Sequence, residues 1–374
     1  MTTETVHAPI PLVDLAAQHR EVADEVLAGF EQLMSTTGFI GGDAVTQFEE
    51  ELAQWWGRRA VVGVANGTDA LELMLRAAGI GPGDEVIVPA NSFIATASSV
   101  VRAGARPVFV DVDPDYLLID PAQVSAHLSP RTRGVVAVHL YGQMAPMEVL
   151  QEVVDGHPAL LFEDAAQAHG ARRRGATPGT IGLAAATSFY PGKNLGAYGD
   201  AGAVLTDREE LARRVRLLGS HGATSKYDHA ELGFNSRLDA LQAVVLSAKL
   251  ARLDGWNEAR RQAATRYHEL LGELSNVWLP TVMPGNVHVW HLYAIRLKGR
   301  DRLLKRLQGH GVGAGIHYPI PIHLQGAFKE FGHRRGDFPI TEQAADRLLS
   351  LPLHPHLTVD DQERIAEIVS EELM

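Results

Sequence analysis

The sequence predicts an α/β protein with a large, mostly parallel, doubly wound sheet and a smaller α+β unit at its C-terminal end. Short apolar runs alternate with amphipathic helical stretches through the first part of the chain. Strands that are joined through helices pair in parallel and are covered on both faces. The 374 residues are also long for one compact core. We therefore expect a large domain at residues 1–250 and a small domain at residues 251–374.

The predicted elements follow one another in a regular order. Apolar residues recur every four positions from Val22 to Met34 and indicate a first helix, and a second helix is expected from Asp43 to Trp56. A long helical zone is expected at about residues 236–274, followed by the mixed C-terminal unit. Buried strands are expected in the segments AVVGVA (60–65), EVIVPA (85–90), PVFVDV (107–112), GVVAVHL (134–140), ALLFED (159–164) and GAVLTD (202–207).

Composition excludes several classes of function. The net charge is -11, and no run of lysine or arginine indicates a nucleic-acid surface. The chain has no cysteine, which excludes disulfides, thiolate catalysis and zinc–thiolate sites. No apolar run reaches the roughly 18–20 residues needed to cross a bilayer. The N-terminal MTTETVHAPIPLVDL lacks a basic stretch followed by an apolar one, so we expect no secretory signal and a cytoplasmic protein.

Three features follow the ends of predicted strands, where ligands of open parallel sheets bind. NGTDA (66–70) opens a helix whose free amides and Thr68 hydroxyl favour an anion. Asp164 ends the strand ALLFED, and Lys193 follows TSFYPG before a glycine-rich stretch. Taken alone, each has a simpler explanation: a helix cap, a salt-bridged carboxylate and a solvated lysine.

Together, the three features are what pyridoxal phosphate requires. The phosphate needs the helix N-terminus, the pyridinium nitrogen needs a carboxylate that keeps it protonated, and the aldehyde needs an amine with which to condense. Other cofactor motifs are weaker, because GIGPGD (79–84) and GHGVGAG (309–315) lack the strand–helix context of a dinucleotide fingerprint. The pairs His288/His291 and His354/His356 lack a third ligand at helical spacing, so we expect structural histidines and no metal.

Four segments closely resemble the DegT–StrS family of nucleotide-sugar aminotransferases: EDAAQAHG, SFYPGKNLGAYGDAGAV, NSRLDALQA and HYPIPIHL. The resemblance extends over nearly the whole chain, from PLVDLAAQHR to LSLPLHPHL. Members are pyridoxal-phosphate enzymes of the aspartate aminotransferase fold (fold type I). The resemblance therefore implies a large cofactor-binding domain and a smaller C-terminal α+β domain.

The resemblance also implies roles for individual residues at the cofactor. Lys193 matches the lysine that binds the cofactor covalently and then shuttles protons. Asp164 matches the partner of the ring nitrogen, and Gln167 matches a side chain near the ring hydroxyl. The other implied cofactor positions are Gly67, Thr68 and Ser188 around the phosphate, Phe93 stacked on the ring, and Asn235, which reaches the phosphate of the neighbouring subunit. Without the resemblance, Phe93 would be expected in the core.

On the substrate side, the resemblance implies a nucleotide sugar and L-glutamate. Related dehydratases carry a histidine where Lys193 stands. Because histidine cannot condense with the aldehyde of pyridoxal phosphate, the lysine favours transamination. We expect amination at carbon 3 or carbon 4 of a keto-deoxysugar nucleotide, dTDP-linked, in a homodimer with shared active sites. The alternatives are a sugar dehydratase and a non-catalytic regulator on the same fold. The implied substrate-binding residues are His221, Lys226, Tyr227, Arg237, Tyr318 and His323.

Overall fold

The structure is a computed structural model that describes residues 8–373, so the first seven residues of the segment examined for a secretory signal lie outside the described residues. Its helices are α1 (Leu15–Thr36), α2 (Asp43–Trp56), α3 (Gly67–Ala77), α4 (Ile94–Arg102), α5 (Pro121–His127), α6 (Met147–Val154), α7 (Glu209–Gly219), α8 (Ala240–Leu250), α9 (Leu253–Leu271), α10 (Arg300–Gly309), α11 (Pro339–Arg347) and α12 (Val359–Leu373). Its strands are β1 (Ala60–Val64), β2 (Glu85–Pro89), β3 (Arg106–Val110), β4 (Thr132–Val138), β5 (Leu160–Asp164), β6 (Arg172–Arg173), β7 (Ala184–Ser188), β8 (Gly202–Thr206), β9 (Ala223–Ser225), β10 (Asp228–His229), β11 (Val277–Trp278), β12 (Asn286–Val287), β13 (Tyr293–Leu297) and β14 (Leu348–Leu351).

The larger unit is built on a seven-stranded sheet with the order β1-β8-β7-β5-β4-β2-β3. Strands β3, β2, β4, β5 and β7 pair in parallel with one another, whereas β8 runs antiparallel to both β7 and β1. The mostly parallel α/β sheet predicted from the sequence is therefore confirmed. The pattern of apolar residues did not predict that β8 would be the reversed strand.

Both faces of this sheet are buried, which explains why its strands are continuous apolar runs. One face packs on α2, α5, α6 and α8, and the other packs on α3, α4 and α7. In β2, for example, Val86, Ile87 and Val88 are all fully buried although neighbouring side chains point to opposite faces. Burial of each such side chain contributes about 1.5–3 kcal/mol relative to exposure.

The C-terminal unit has a core of its own. An antiparallel sheet of order β11-β13-β14 packs on α9, α10 and α12. The helical zone expected at residues 236–274 forms two helices, because the chain leaves helix α8 at Ala251 and begins α9 at Leu253. Ile10, near the N-terminus, also belongs to this core and bridges to Val312. The domain division at residue 250 stays a prediction.

No helix within residues 8–373 is long and apolar enough to span a bilayer.

The strand directions bring several loops to one edge of the large sheet. The carboxyl ends of β1, β2, β4, β5 and β7 lie at this edge, and the first residue of β8, Gly202, pairs there with both Val64 and Ser188. A Cβ on Gly202 would come within 2.5 Å of the carbonyl carbon of Asn66. Only glycine therefore permits this close approach, which joins the loop after β1 to the loop before β8.

Candidate active site

A cavity of about 670 Å³ opens at this edge of the sheet. Its wall is formed by loops that follow β1, β2, β4, β5 and β7, together with residues of the C-terminal unit. This is where an open parallel sheet is expected to bind a ligand. The wall brings together eight residues that the sequence predicted: Gly67, Thr68, Phe93, Asp164, Gln167, Ser188, Lys193 and Tyr318.

One end of the cavity is suited to an anion. Asn66 caps helix α3 by accepting a hydrogen bond from the Asp69 amide at 2.8 Å, which leaves the first-turn amides of Gly67 and Thr68 at the positive end of the helix dipole. Thr68 and Ser188 both line the cavity at this point. A Cβ on Gly67 would lie 2.5 Å from the Ser188 Cβ, so only glycine allows the two loops to meet. The residues present therefore form a cradle of the kind that binds phosphate.

Asp164 is a buried carboxylate with no cation bonded to it. Its Oδ2 accepts a hydrogen bond from Thr96 Oγ1 at 2.7 Å, and its Oδ1 accepts one from the Ala166 amide at 3.2 Å. The residue is 6% exposed, and no ion pair joins it to another residue within 8–373. The salt-bridge explanation considered from the sequence is therefore not seen. A buried carboxylate is costly without a cationic partner, which a protonated ring nitrogen would provide.

Lys193 lies in the same wall and carries an amine suited to proton transfer. Its backbone amide donates to the Tyr190 carbonyl at 2.8 Å, and no hydrogen bond joins its Nζ to any residue that the structure describes. Burial lowers the pKa of Lys193 to about 8, and the charge of Asp164 opposes this shift. About a tenth of the amine is therefore neutral at pH 7.

Gln167 and the two aromatic side chains complete the wall that the sequence predicted. Gln167 Oε1 accepts from the Tyr141 amide at 2.6 Å, and its Nε2 donates to the Tyr318 hydroxyl at 3.3 Å. The Tyr318 ring lies 5.4 Å from the ring of Phe93, centroid to centroid. Burial, with a contribution from Asp164, raises the pKa of Tyr318, so the hydroxyl stays protonated at neutral pH. Phe93 faces the cavity and is not a core residue.

The other predicted site residues lie outside this wall. One group lies between α7 and α8, in and around the hairpin β9–β10. Within it, Arg237 Nη2 donates to Asn235 Oδ1 at 2.7 Å. This segment projects into solvent, and Tyr227 is 86% exposed. The role of Asn235 at the phosphate of a neighbouring subunit and the substrate-binding roles of the other four residues stay predictions. The group consists of His221, Lys226, Tyr227, Asn235 and Arg237.

His323 is not in a position to contact a ligand in this cavity. It is 1% exposed, its Nε2 lies 3.0 Å from Glu342 Oε1, and its ring packs against Phe338. The physical reason is local: the turn at residues 322–324 directs the imidazole inward, where its Nε2 pairs with Glu342. Its neighbour in the motif, Tyr318, does reach the cavity.

Sequence reasoning missed four residues at or behind the wall. Thr96, which bonds to Asp164, follows Ser92 by one helical turn after the end of β2, a spacing that could have been noticed. His291 and His317 line the cavity, and Asn194 directly follows Lys193. The sequence pattern at positions 288 and 291 suggested only metal binding as a function, whereas the structure gives the two histidines different surroundings. His288 stacks on Trp290 at 3.9 Å, whereas His291 belongs to the wall.

A second buried lysine, Lys249, donates a hydrogen bond to the loop that carries Lys193. Lys249 is 1% exposed, its Nζ donates to the Gly196 carbonyl at 2.7 Å, and the amine lies 4.7 Å from the centre of the Tyr198 ring. Burial lowers the pKa of Lys249 to about 8. This cation therefore holds the loop through a backbone carbonyl and an aromatic face, without a carboxylate.

The depressed pKa of Lys249 predicts that its contribution to stability improves as pH rises. Between about pH 8 and pH 10.5 the unfolded chain holds the lysine proton more fully than the folded one, so folding is favoured by raising the pH. Relative to a Lys249→Met variant, the wild type should gain about 2 kcal/mol in free energy of unfolding between about pH 7.5 and pH 10. Urea unfolding of both proteins at matched pH values measures this difference, and a pH-independent difference would contradict it.

Comparison with known proteins identifies the family. The model of the DegT/DnrJ/EryC1/StrS aminotransferase family matches residues 20–370. This chain belongs to the DegT/DnrJ/EryC1/StrS aminotransferase family. A dTDP-3-amino-3,4,6-trideoxy-alpha-D-glucose transaminase of Streptomyces venezuelae is 43% identical over 97% of this chain and 96% of its own length. A protein from Geobacillus stearothermophilus with the name pleiotropic regulatory protein is 44% identical over 97% of this chain and 98% of its own length.

The solved structures agree with this membership. S. venezuelae DesV, crystallised in complex with a ketimine intermediate, superposes with a TM-score of 0.96 at 42% identity, covering 98% of this chain and 99% of that one. The resemblance to DegT–StrS aminotransferases and the fold-type-I architecture expected from the sequence are therefore confirmed. As a member of the DegT/DnrJ/EryC1/StrS family, the chain is an aminotransferase.

Proposed function

We propose that this aminotransferase uses pyridoxal phosphate to move the amino group of L-glutamate to carbon 3 or carbon 4 of a keto-deoxysugar nucleotide, with a dTDP-linked sugar as the expected substrate. One observation carries the proposal. A phosphate cradle, a buried carboxylate without a cation and a lysine amine of lowered pKa line the same cavity. The names of the relatives favour a nucleotide sugar aminated at carbon 3. The cytoplasmic location expected from the sequence stays a prediction.

Each part of the cofactor has residues that would hold it. Gly67, Thr68 and Ser188 would bind the phosphate at the start of α3, and Asp164 would keep the ring nitrogen protonated. Phe93 would cover one face of the ring. When bound, pyridoxal phosphate supplies an electron sink for negative charge at the carbon that carries the amine. Thr96 orients the carboxylate of Asp164 for this task through its 2.7 Å hydrogen bond.

Lys193 would carry protons during the transfer. With a pKa of about 8, its Nζ is available both as an acceptor and as a donor of a proton near neutral pH. The amine has no competing hydrogen bond among the described residues, so it is free to approach a substrate carbon. A residue of this kind typically contributes about 100- to 10,000-fold to the rate.

The nucleotide end of the substrate requires cations that this wall does not contain. Among the wall residues within 8–373, Lys193 is the only lysine or arginine. A diphosphate is best held by charge-assisted hydrogen bonds. The exposed segment after α7 carries Lys226 and Arg237, beside the Asn235 that is expected to cross between subunits. We therefore propose a homodimer in which this segment completes the cavity of the partner.

Product analysis tests the proposed function. The enzyme is incubated with L-glutamate and a panel of keto-deoxysugar nucleotides that differ in base and in keto position, and the products are followed by mass spectrometry. An amino-sugar nucleotide formed in equal amount with 2-oxoglutarate supports the proposal. Loss of a sugar hydroxyl without consumption of glutamate would indicate a dehydratase. Binding of cofactor with no turnover of any nucleotide would favour the regulator, the alternative that one relative's name keeps open.

Mixed dimers test whether two subunits share each site. A Lys193→Ala chain and an Asn235→Asp chain should each be inactive, since the second places a negative charge against the phosphate. In a random mixture, half of the dimers contain one chain of each kind. Each hybrid has one intact site, formed by Lys193 of one chain and Asn235 of the other, so about a quarter of wild-type activity should return. Native mass spectrometry verifies that hybrids form. Hybrids without activity would contradict shared sites.

Half-reactions test the cations proposed for the diphosphate. Lys226→Ala and Arg237→Ala should each lower the rate of the sugar half-reaction by about 10- to 100-fold, because a hydrogen bond to a charged group is lost. The glutamate half-reaction should change little. Lys305→Ala, which removes an exposed lysine of α10, is the matched control for loss of a surface charge. Equal losses in both half-reactions would assign these residues to the cofactor or the fold and favour an amino acid–keto acid transaminase.

A further inference from the structure

Behind Lys193 lies a buried chain of two amides whose orientations are fixed. The Nδ2 group of Asn194 donates to the Val289 carbonyl at 2.9 Å and to Asn257 Oδ1 at 2.9 Å. The Nδ2 group of Asn257 donates to the His169 carbonyl at 2.8 Å. Backbone carbonyls can only accept, so each amide must turn its nitrogen towards them. Asn194 therefore presents its oxygen, and only its oxygen, on the remaining side.

That oxygen determines the tautomer of His291. The Nδ1 atom of His291 lies 3.2 Å from Asn194 Oδ1, which is an acceptor, so Nδ1 must carry the hydrogen. The ring is neutral, because burial and the charges of Lys193, Arg260, His317 and His169 lower its pKa well below the usual value. A neutral imidazole with hydrogen on Nδ1 has a lone pair on Nε2. His291 is thus held in the tautomer that is less common for histidine in water.

The unprotonated nitrogen makes no hydrogen bond to any residue that the structure describes. His291 is a wall residue, and its Nδ1 is used by Asn194. Asn194 follows Lys193 in the chain, so the same hydrogen bond holds the ring next to the loop that carries the amine. Lys193 lines the same cavity, and its Nζ is without a hydrogen bond among the described residues. The charge of Lys193 is one of the causes that lower the pKa of His291, so the two side chains lie within electrostatic range of each other.

We propose that His291 is a positioning residue for Lys193: the lysine side chain turns from its conformation in this structure towards the ring, and its Nζ then donates a hydrogen bond to the unprotonated Nε2 of His291. The bond leaves the amine lone pair directed away from the ring, towards a substrate carbon. No proton passes to His291, because its basicity is far below that of the lysine. The consequence for transamination rests on the proposed function, whereas the tautomer and the hydrogen bond do not.

Two substitutions of His291 distinguish the roles of its two ring nitrogens. His291→Asn keeps a donor at the Nδ1 position, opposite Asn194, and removes the acceptor at the cavity. His291→Gln extends an amide oxygen to the Nε2 position and keeps that acceptor. Thermal melts confirm that both variants fold. If one variant fails to fold, the ring nitrogens of the wild type still test the tautomer directly.

The first measurement is 15N NMR of full-length protein labelled at histidine, with the His291 signals assigned by their loss in the variants. Hydrogen on Nδ1 and a bare Nε2 are expected at neutral pH. Hydrogen on Nε2 would overturn the proposal. This result is independent of whether any sugar nucleotide is a substrate.

The second measurement is the pKa of Lys193 in cofactor-free protein, from the pH dependence of its reaction with an amine-specific acylating reagent followed by peptide mass spectrometry. An acceptor stabilises the ammonium form, so His291→Asn should lower the pKa of Lys193 by about half a unit or more, and His291→Gln should leave it near the wild-type value. Equal values in all three proteins, or equal shifts in both variants, would overturn the proposal. In the complete enzyme the Asn variant should lose kcat with little change in KM.

Discussion

A Lys193→Ala enzyme is expected to retain its fold and to lose transamination. The amine is the only lysine nitrogen in the cavity wall among the described residues, and burial lowers its pKa to about 8. On the proposed function, its removal takes away both the covalent attachment of the cofactor and the proton carrier. The loss of proton transfer alone should cost about 100- to 10,000-fold in kcat.

Two readouts test this variant. Borohydride reduction followed by mass spectrometry should find the cofactor on the wild-type chain at Lys193 and on no residue of the variant. Lys305→Ala, at an exposed position of α10, is the control and should behave as wild type in both assays. Turnover at the wild-type rate in Lys193→Ala would remove this residue from the mechanism.

An Asp164→Asn enzyme is expected to bind the cofactor but to react slower by orders of magnitude. The amide has the shape of the carboxylate and keeps an oxygen for Thr96 Oγ1 or the Ala166 amide, so folding should be preserved. It cannot hold a proton on the ring nitrogen, so the electron sink is weakened. A loss of less than about tenfold, or ~1.4 kcal/mol, would mean that Asp164 is not the partner of the ring.

The same variant should also change Lys193. The charge of Asp164 raises the pKa of Lys193 against the effect of burial, so its loss should lower that pKa below about 8. Acylation of cofactor-free protein over a range of pH measures the shift. Asp115→Asn, at an exposed carboxylate remote from the wall, is the matched control. An unchanged pKa in Asp164→Asn would mean that the two groups do not interact.

The sequence predicted the parts of the site whose position follows from the order of strands and loops along the chain. Short, mostly apolar runs predict the strands, and the places of the three residues follow from them: Thr68 comes after β1, Asp164 ends β5 and Lys193 comes after β7. Their convergence follows from parallel pairing. The resemblance added Gln167 and Phe93, which the residues alone did not single out.

The remaining residues of the site depend on packing between distant segments. Thr96 bonds to a carboxylate 68 positions later, and Asn194 bonds to a histidine 97 positions later. No local pattern specifies such pairs. The tautomer of His291 depends on two amide orientations, which exist only in three dimensions. The buried position of His323 could not be predicted for the same reason, because the fold decides whether this side chain points to a cavity or to Glu342.

The reversed strand β8 has a topological consequence for the lysine. Because β8 is antiparallel to β7, the chain leaves the sheet at Ser188 and re-enters it at Gly202, which is the direct partner of Ser188. Residues 189–201 therefore form a closed loop, both ends of which are clamped at the ligand edge. A parallel strand would have required a crossover to the opposite edge, and only one end of the segment would have been held. Because the strand pair already holds both ends of this loop, the entropy of bringing the ends together is not lost on ligand binding. The single reversed strand in a parallel sheet thus pre-organises the segment that carries the reactive amine.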